Sequence, residues 1–222
     1  SPKSMLGYAL NPGVRSTALG ILRSVLGHIR SHAADQFGEN VTKALLGRPV
    51  KFKSSLGDAG ATQALAIITE AALAAGFEDV EFLEEPVAAA WAFHTIQEEP
   101  TNTLVVDIGG GTTDIALARL GGDLAAPEIL HTWGIPIGGT NIDLDLSLNA
   151  FMQLFGRGQP DIPNDLTYAV AAVEQLDKQQ KFGRAHFRRT DEPYRSRLQA
   201  LQQHGATHRL NRIVERNKIS LS

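Results

Sequence analysis

Thr103-Leu104-Val105-Val106-Asp107-Ile108-Gly109-Gly110-Gly111-Thr112-Thr113-Asp114-Ile115-Ala116-Leu117-Ala118 reads as strand, tight turn, strand. Leu104, Val105 and Val106 form a short apolar run rich in β-branched residues, which predicts a buried strand. Three consecutive glycines follow. They permit positive φ angles and let backbone N–H groups approach a ligand with no Cβ in the way. Ile115 and Leu117 resume a strand. Asp107 and Asp114 bracket the glycines, and Thr112 and Thr113 add hydroxyls. The glycine N–H groups form a concave set of donors for phosphate oxygens. Flanking carboxylates suit a hydrated Mg²⁺, which takes a few carboxylates plus water and phosphate. A glycine-rich hairpin without a ligand is the plainer alternative, but a hairpin seldom needs three glycines between two acids. No Gly-Lys-Ser/Thr follows, and the glycines join two strands rather than a strand and a helix, so this is not a P-loop.

Upstream, Glu84-Glu85-Pro86-Val87-Ala88-Ala89-Ala90 predicts a strand-to-helix junction after a strand over 79–83. Pro86 suits a first helical turn, where its missing N–H would be unpaired anyway. The alanines allow close packing. Glu85 either stabilises the helix start through the macrodipole or binds metal-bound water. Earlier still, Ala18, Ile21, Leu22, Val25, Leu26 and Ile29 recur at helical spacing and predict a helix over 14–37, with Gly38 as its cap. A short buried strand over 42–46, a loop over 57–60 and a helix over 62–75 follow. Such alternation predicts an α/β architecture. Residues 1–13 read as a loop in which Lys3 by itself is a surface lysine. His28, His32 and His94 lack metal-ligand spacing and read as ordinary polar positions.

Downstream, Gly121-Gly122 predicts a turn and 128–133 a strand. Gly138-Gly139-Thr140-Asn141-Ile142-Asp143 opens a helix through Phe151, whose first N–H groups can bind an anion. A Gly/Pro-rich loop over 156–163 precedes polar helices at 166–182, 193–204 and from 206 onward. On the last, Glu215, Lys218 and Ser222 stand at i, i+3 and i+7 and share a face, where Glu215 and Lys218 can also form an ordinary ion pair. Lys178, Lys181, Arg184, Arg188 and Arg189 read as a solvated helical face.

The 222 residues, 43% hydrophobic, suffice for one large domain or two small lobes. A net charge of −3 argues against a nucleic-acid footprint. With no cysteine there is neither a disulfide framework nor a thiolate metal site, which fits a cytoplasmic protein. No apolar run approaches a membrane span, and no signal-peptide pattern opens the chain. Ser1 stands where an initiator Met would, and Ser222 falls inside an expected helix, so both ends read as cut.

Asp107-Ile-Gly-Gly-Gly-Thr-Thr-Asp114 resembles the second phosphate-binding hairpin of the actin-like ATPases, and most of all that of the DnaK-type heat-shock chaperones. Glu85-Pro86-Val87-Ala88-Ala89-Ala90 is similar to their Glu-Pro-Thr-Ala-Ala-Ala signature, with Val87 replacing threonine. Gly138-Gly139-Thr140-Asn141-Ile142-Asp143 resembles their Gly-Gly-Glu-Asp-Phe-Asp segment, with Thr140 and Asn141 replacing the acidic pair. Val214 to Ser222 resembles the helix lining their adenosine pocket, and Lys3-Ser4-Met5-Leu6-Gly7 resembles Lys-Arg-Leu-Ile-Gly. The opening Ser-Pro-Lys-Ser and the Pro-Ile-Gly-Gly turn look most like the short, divergent DnaK-like proteins of the YegD type.

The resemblance implies an actin-like ATPase (ribonuclease-H-like) α/β fold with two lobes, incomplete at both ends: 1–98 in lobe I and 99–222 in lobe II, with 156–222 a mainly helical subdomain. It lacks the family's first phosphate hairpin, its final adenosine-closing segment and its peptide-binding domain. It implies ATP hydrolysis by the intact protein, with ATP/ADP and Mg²⁺ between lobes whose hinge the nucleotide biases. Gly109, Gly110, Gly111, Thr112 and Thr113 would hold phosphate, as would Gly138 and Gly139. Asp107 would order metal-bound water, Glu85 would position the attacking water, and Lys3 would reach the γ-phosphate. Glu215, Lys218 and Ser222 would contact ribose and adenine. Unfolded polypeptide and co-chaperones are the implied partners of the intact protein, and the piece by itself is expected to hydrolyse ATP poorly or not at all. The alternatives are another actin-like ATPase (a sugar or acetate kinase, or a filament protein) and a non-hydrolysing nucleotide-sensing module.

Overall fold

A computed structural model describes residues 5–221, so Lys3 and Ser222 lie outside the described residues. The chain divides into two compact units after Gly138. In the N-terminal unit, α1 (Pro12–Phe37) starts where the Asn11 side chain accepts the Val14 N–H at 2.9 Å. It stops at Gly38, whose φ of 70° suits glycine. It packs on α2 (Asp58–Ala74), and Ala18, Ala64 and Ile67 form a core with Leu6 and Phe52. β1 (Lys43–Arg48) and β2 (Asp79–Glu84) pair in parallel from Lys43↔Asp79 to Arg48↔Glu84, joined through α2. α3 (Glu85–His94) follows β2 directly.

β3 (Thr101–Ile108), β4 (Thr113–Leu120) and β5 (Glu128–Ile135) form an antiparallel meander. α3 covers one face, laying Ala90 into a core with Val105, Ala116, Ala118 and Leu120. Small side chains on both surfaces let helix and sheet approach closely. The buried strand expected at 104–106 is instead half-buried. Val105 faces α3, while Leu104 and Val106 are 59% and 49% exposed on the other face. A meander covered on one side alternates in and out, and a continuous apolar run does not reveal which side is covered. β1, also expected to be buried, alternates in the same way, and its Leu45 is exposed.

In the C-terminal unit, α4 (Gly139–Leu146) continues as a π-helical turn (Ser147–Phe151) and a 3₁₀ turn (Met152–Phe155). It ends at Gly156 with φ 87°. α5 (Asn164–Ala171), α6 (Leu176–Gly183), α7 (Tyr194–Leu201) and α8 (Ala206–Leu221) follow. Met152, Ile162, Val170, Phe182 and Leu198 form the core. Each fully buried large apolar side chain of this kind contributes roughly 1.5–3 kcal/mol. The single helix expected over 166–182 is two. The chain turns out of helix at Ala172 (ψ 61°). The Gln179 amide donates to Ala169 O at 2.6 Å and Ala172 O at 3.3 Å, which satisfies carbonyls that the break releases. Lys181 and Lys178 of the basic cluster pair with Asp165 and Asp177 on the surface. Among the described residues, no helix is long and apolar enough to cross a membrane.

Candidate functional site

The β3–β4 hairpin narrows rung by rung. Asp107 opposes Asp114, Ile108 opposes Thr113, and Gly109 N–H donates to Thr112 O at 2.9 Å. Gly110 and Gly111 form the tip. None of the three glycines lies in the left-handed region, contrary to the expectation that positive φ would be used here. Among the described residues, a Cβ built on Gly110 would meet nothing within 4 Å, and one on Gly111 would meet only the Lys53 stem, at 3.9 Å. Neither backbone conformation nor packing therefore requires glycine at these two positions. Their effect is to leave the backbone of the tip with no side chain of its own over it.

The flank of the hairpin is different. Asp114 is 1% exposed, and both of its carboxylate oxygens are engaged. Oδ1 accepts the Val50 N–H at 2.7 Å, and Oδ2 accepts the Thr112 hydroxyl at 2.7 Å. Asp114 thus ties the chain after β1 to the hairpin. Its burial and these two hydrogen bonds give it a structural role that the hairpin's acid pair did not suggest. A Cβ on Gly134 would lie 2.8 Å from Lys51 N and 2.9 Å from Asp114 Oδ1, and one on Gly138 would lie 2.6 Å from Gly109 O. These glycines are needed for close approach. The Thr113 hydroxyl donates to Ile137 O at 2.8 Å, so residues 134–138 form a buttress along the turn. Gly138 lies beside the hairpin.

Asp107 is half-buried opposite Asp114, and its side chain makes no hydrogen bond or ion pair with the described residues. A carboxylate with open lone pairs beside an uncovered tip fits a hydrated Mg²⁺ that accompanies phosphate, with contact through water. Thr112 and Thr113 have both committed their hydroxyl protons, which leaves the backbone N–H groups as the donors for an anion. Glu85 is the first residue of α3, with Cγ 3.4 Å from where Gly47 would carry a Cβ. His94 Nδ1 accepts the Gly121 N–H at 2.9 Å, a turn-closing role that nothing in the sequence marks.

In the C-terminal unit, Lys218 does not pair with Glu215 one turn away. Its Nζ is 2.8 Å from Asp143 Oδ1 and donates to Gly139 O at 3.4 Å. Asp143 is 5% exposed, and the contact is close without the alignment of a hydrogen bond. Lys218 thereby ties α8 to the start of α4. Glu215 is exposed on α8.

Sequence reasoning missed the loop at residues 50–53. Val50, Lys51 and Lys53 reach the hairpin flank, the buttress and the tip in turn. No local pattern announces a contact across some sixty positions.

The chain matches the family model described as MreB/Mbl protein over residues 58–149. It is 28% identical to the chaperone protein dnaK of Phaeodactylum tricornutum (strain CCAP 1055/1) over 162 residues, which are 71% of this chain and 24% of that protein. It is 40% identical to the cell shape-determining protein MreB of Pasteurella multocida (strain Pm70) over 86 residues, which are 38% of this chain and 23% of that protein. The chain thus spans about a quarter of the length of these relatives, 24% and 23%. What these similarities support for the chain is the actin-like ATPase superfamily, a level above both the chaperones and the cell-shape proteins.

Proposed function

We propose that this chain carries the phosphate-binding hairpin of a DnaK-like ATPase, which takes Mg²⁺-ATP and Mg²⁺-ADP. One observation carries the reading: neither packing nor a positive φ calls for glycine at Gly110 and Gly111, yet both are glycine at the tip, where no side chain of their own stands over the backbone. The N–H donors of the tip, with Gly138 alongside and Gly139 next in the chain, would hold phosphate oxygens. Asp107 would hold the water shell of Mg²⁺, which offsets phosphate charge when bound. Glu85 would orient the attacking water and Lys3 would meet charge developing on the γ-phosphoryl group. Positioning and electrostatics of this kind make up most of phosphoryl-transfer catalysis. Glu215, Lys218 and Ser222 would serve ribose and adenine.

Within the superfamily, the breadth of the dnaK similarity favours the chaperone branch. Its 162 residues exceed the 58–149 window of the MreB/Mbl match. The intact protein would then work in the cytoplasm on unfolded polypeptide, with co-chaperones. The second reading is a filament-forming ATPase, favoured by the 40% identity to MreB over a shorter stretch. Sedimentation with Mg²⁺-ATP separates them, since nucleotide-dependent pelleting belongs to the filament reading.

Calorimetric titration of Mg²⁺-ADP and Mg²⁺-ATP tests nucleotide binding itself. Binding that Asp107→Ala weakens is the expected result. No heat at millimolar nucleotide, or identical affinity in Asp107→Ala, contradicts the proposal.

A further inference from the structure

We infer that Lys53 is a further phosphate-binding residue of the glycine turn, supplying the cation for a nucleoside di- or triphosphate on its Gly111 side. The inference rests on the reading of that turn as a phosphate site. Among the described residues outside the turn's own neighbours, Lys53 supplies the heavy atoms within 4 Å of the Cβ position at Gly111, through its Cδ and Cε at 3.9 Å. The last carbons of the arm therefore lie beside Gly111, and the ammonium one bond further is within reach of an anion held at the turn.

The loop that carries Lys53 is pinned on both sides. Val50 N–H binds Asp114 before it, Phe52 is buried in the α1–α2 core, and the Ser54 hydroxyl donates to Gly7 O at 2.8 Å. Gly7 and Ser54 also form a backbone bridge. Such anchoring fixes the root of the lysine, so directing its arm costs less side-chain entropy than at a free surface position. The charge fits as well. The turn presents neutral N–H groups and the adjacent Asp107 is an anion, so a polyphosphate there gains from a positive group beside the turn. A lysine ammonium offers three donors and a compact charge to phosphate oxygens. Lys53 already has an interaction of its own, which a bound phosphate joins or displaces.

Lys53→Met keeps the aliphatic stem over Gly111 and removes the charge, and Lys53→Arg keeps the charge. Each is titrated with Mg²⁺-ADP and with adenosine, across a range of salt concentrations, after melting curves confirm folding. The expected result is a roughly 10- to 100-fold loss of ADP affinity in Lys53→Met. Its salt dependence should be shallower, adenosine binding unchanged, and affinity largely restored in Lys53→Arg. A stem that merely packs over the glycine would leave affinity and salt dependence alike in all three proteins, and that result overturns the inference while leaving the phosphate turn standing. Absence of phosphate-dependent binding by the unaltered chain overturns the turn's assignment, and this inference with it.

Discussion

Gly110 and Gly138 are packed side by side, yet they are glycine for opposite reasons. A Cβ on Gly138 would come within 2.8 Å of Gly110 C and O, so the fold cannot hold its shape without glycine there. A Cβ on Gly110 would stand in open space. The buttress is constrained by the protein, and the tip is constrained by something the protein must admit. Sequence cannot make this distinction, because both positions read simply as glycine in a glycine-rich segment.

Substitutions break the comparison or sharpen it. Gly110→Val should have the largest effect, and only on ligand. Covering two charge-assisted N–H donors, at about 1.5 kcal/mol each, weakens nucleotide binding roughly 100-fold. Its melting midpoint should remain within a degree or two of the unaltered chain. Asp114→Ala removes the acceptor of the Val50 N–H and the Thr112 hydroxyl from a buried position, and should cost about 2–3 kcal/mol in denaturant unfolding. An Asp114→Ala protein as stable as the parent would mean that the loop after β1 is not tied to the hairpin. Gly138→Ala should cost about 1–3 kcal/mol through overpacking. Equal stability losses at 110 and 138 would erase the contrast between them.

The hairpin, the glutamate-proline helix start and the alternation of strands and helices were legible because each depends on local chemistry. Pro86, Gly38 and the helical spacing of α1 each act within a turn of the chain. Non-local matters were not legible. Leu104-Val105-Val106 looks the same whether one face or both are covered. The break at Ala172 has no glycine or proline to announce it, and it depends on Gln179 reaching back. Asp114 looked like a twin of Asp107 until Val50 and Thr112 were seen to occupy it. Likewise, Lys218 is paired with Asp143, seventy-five positions away, rather than with Glu215. Candidate residues were thus picked out by motif, and the contacts they make were decided by partners far along the chain.

The most direct measurement is an NMR titration of the ¹⁵N-labelled chain with Mg²⁺-ADP, following the amides of Gly109, Gly110 and Gly111 against those of Gly134 and Gly156. The account predicts saturable shifts concentrated at Gly110 and Gly111 and lost in Gly110→Val, with Gly156 unmoved. Shifts absent at the tip up to millimolar nucleotide, or no larger there than at Gly156, would contradict it.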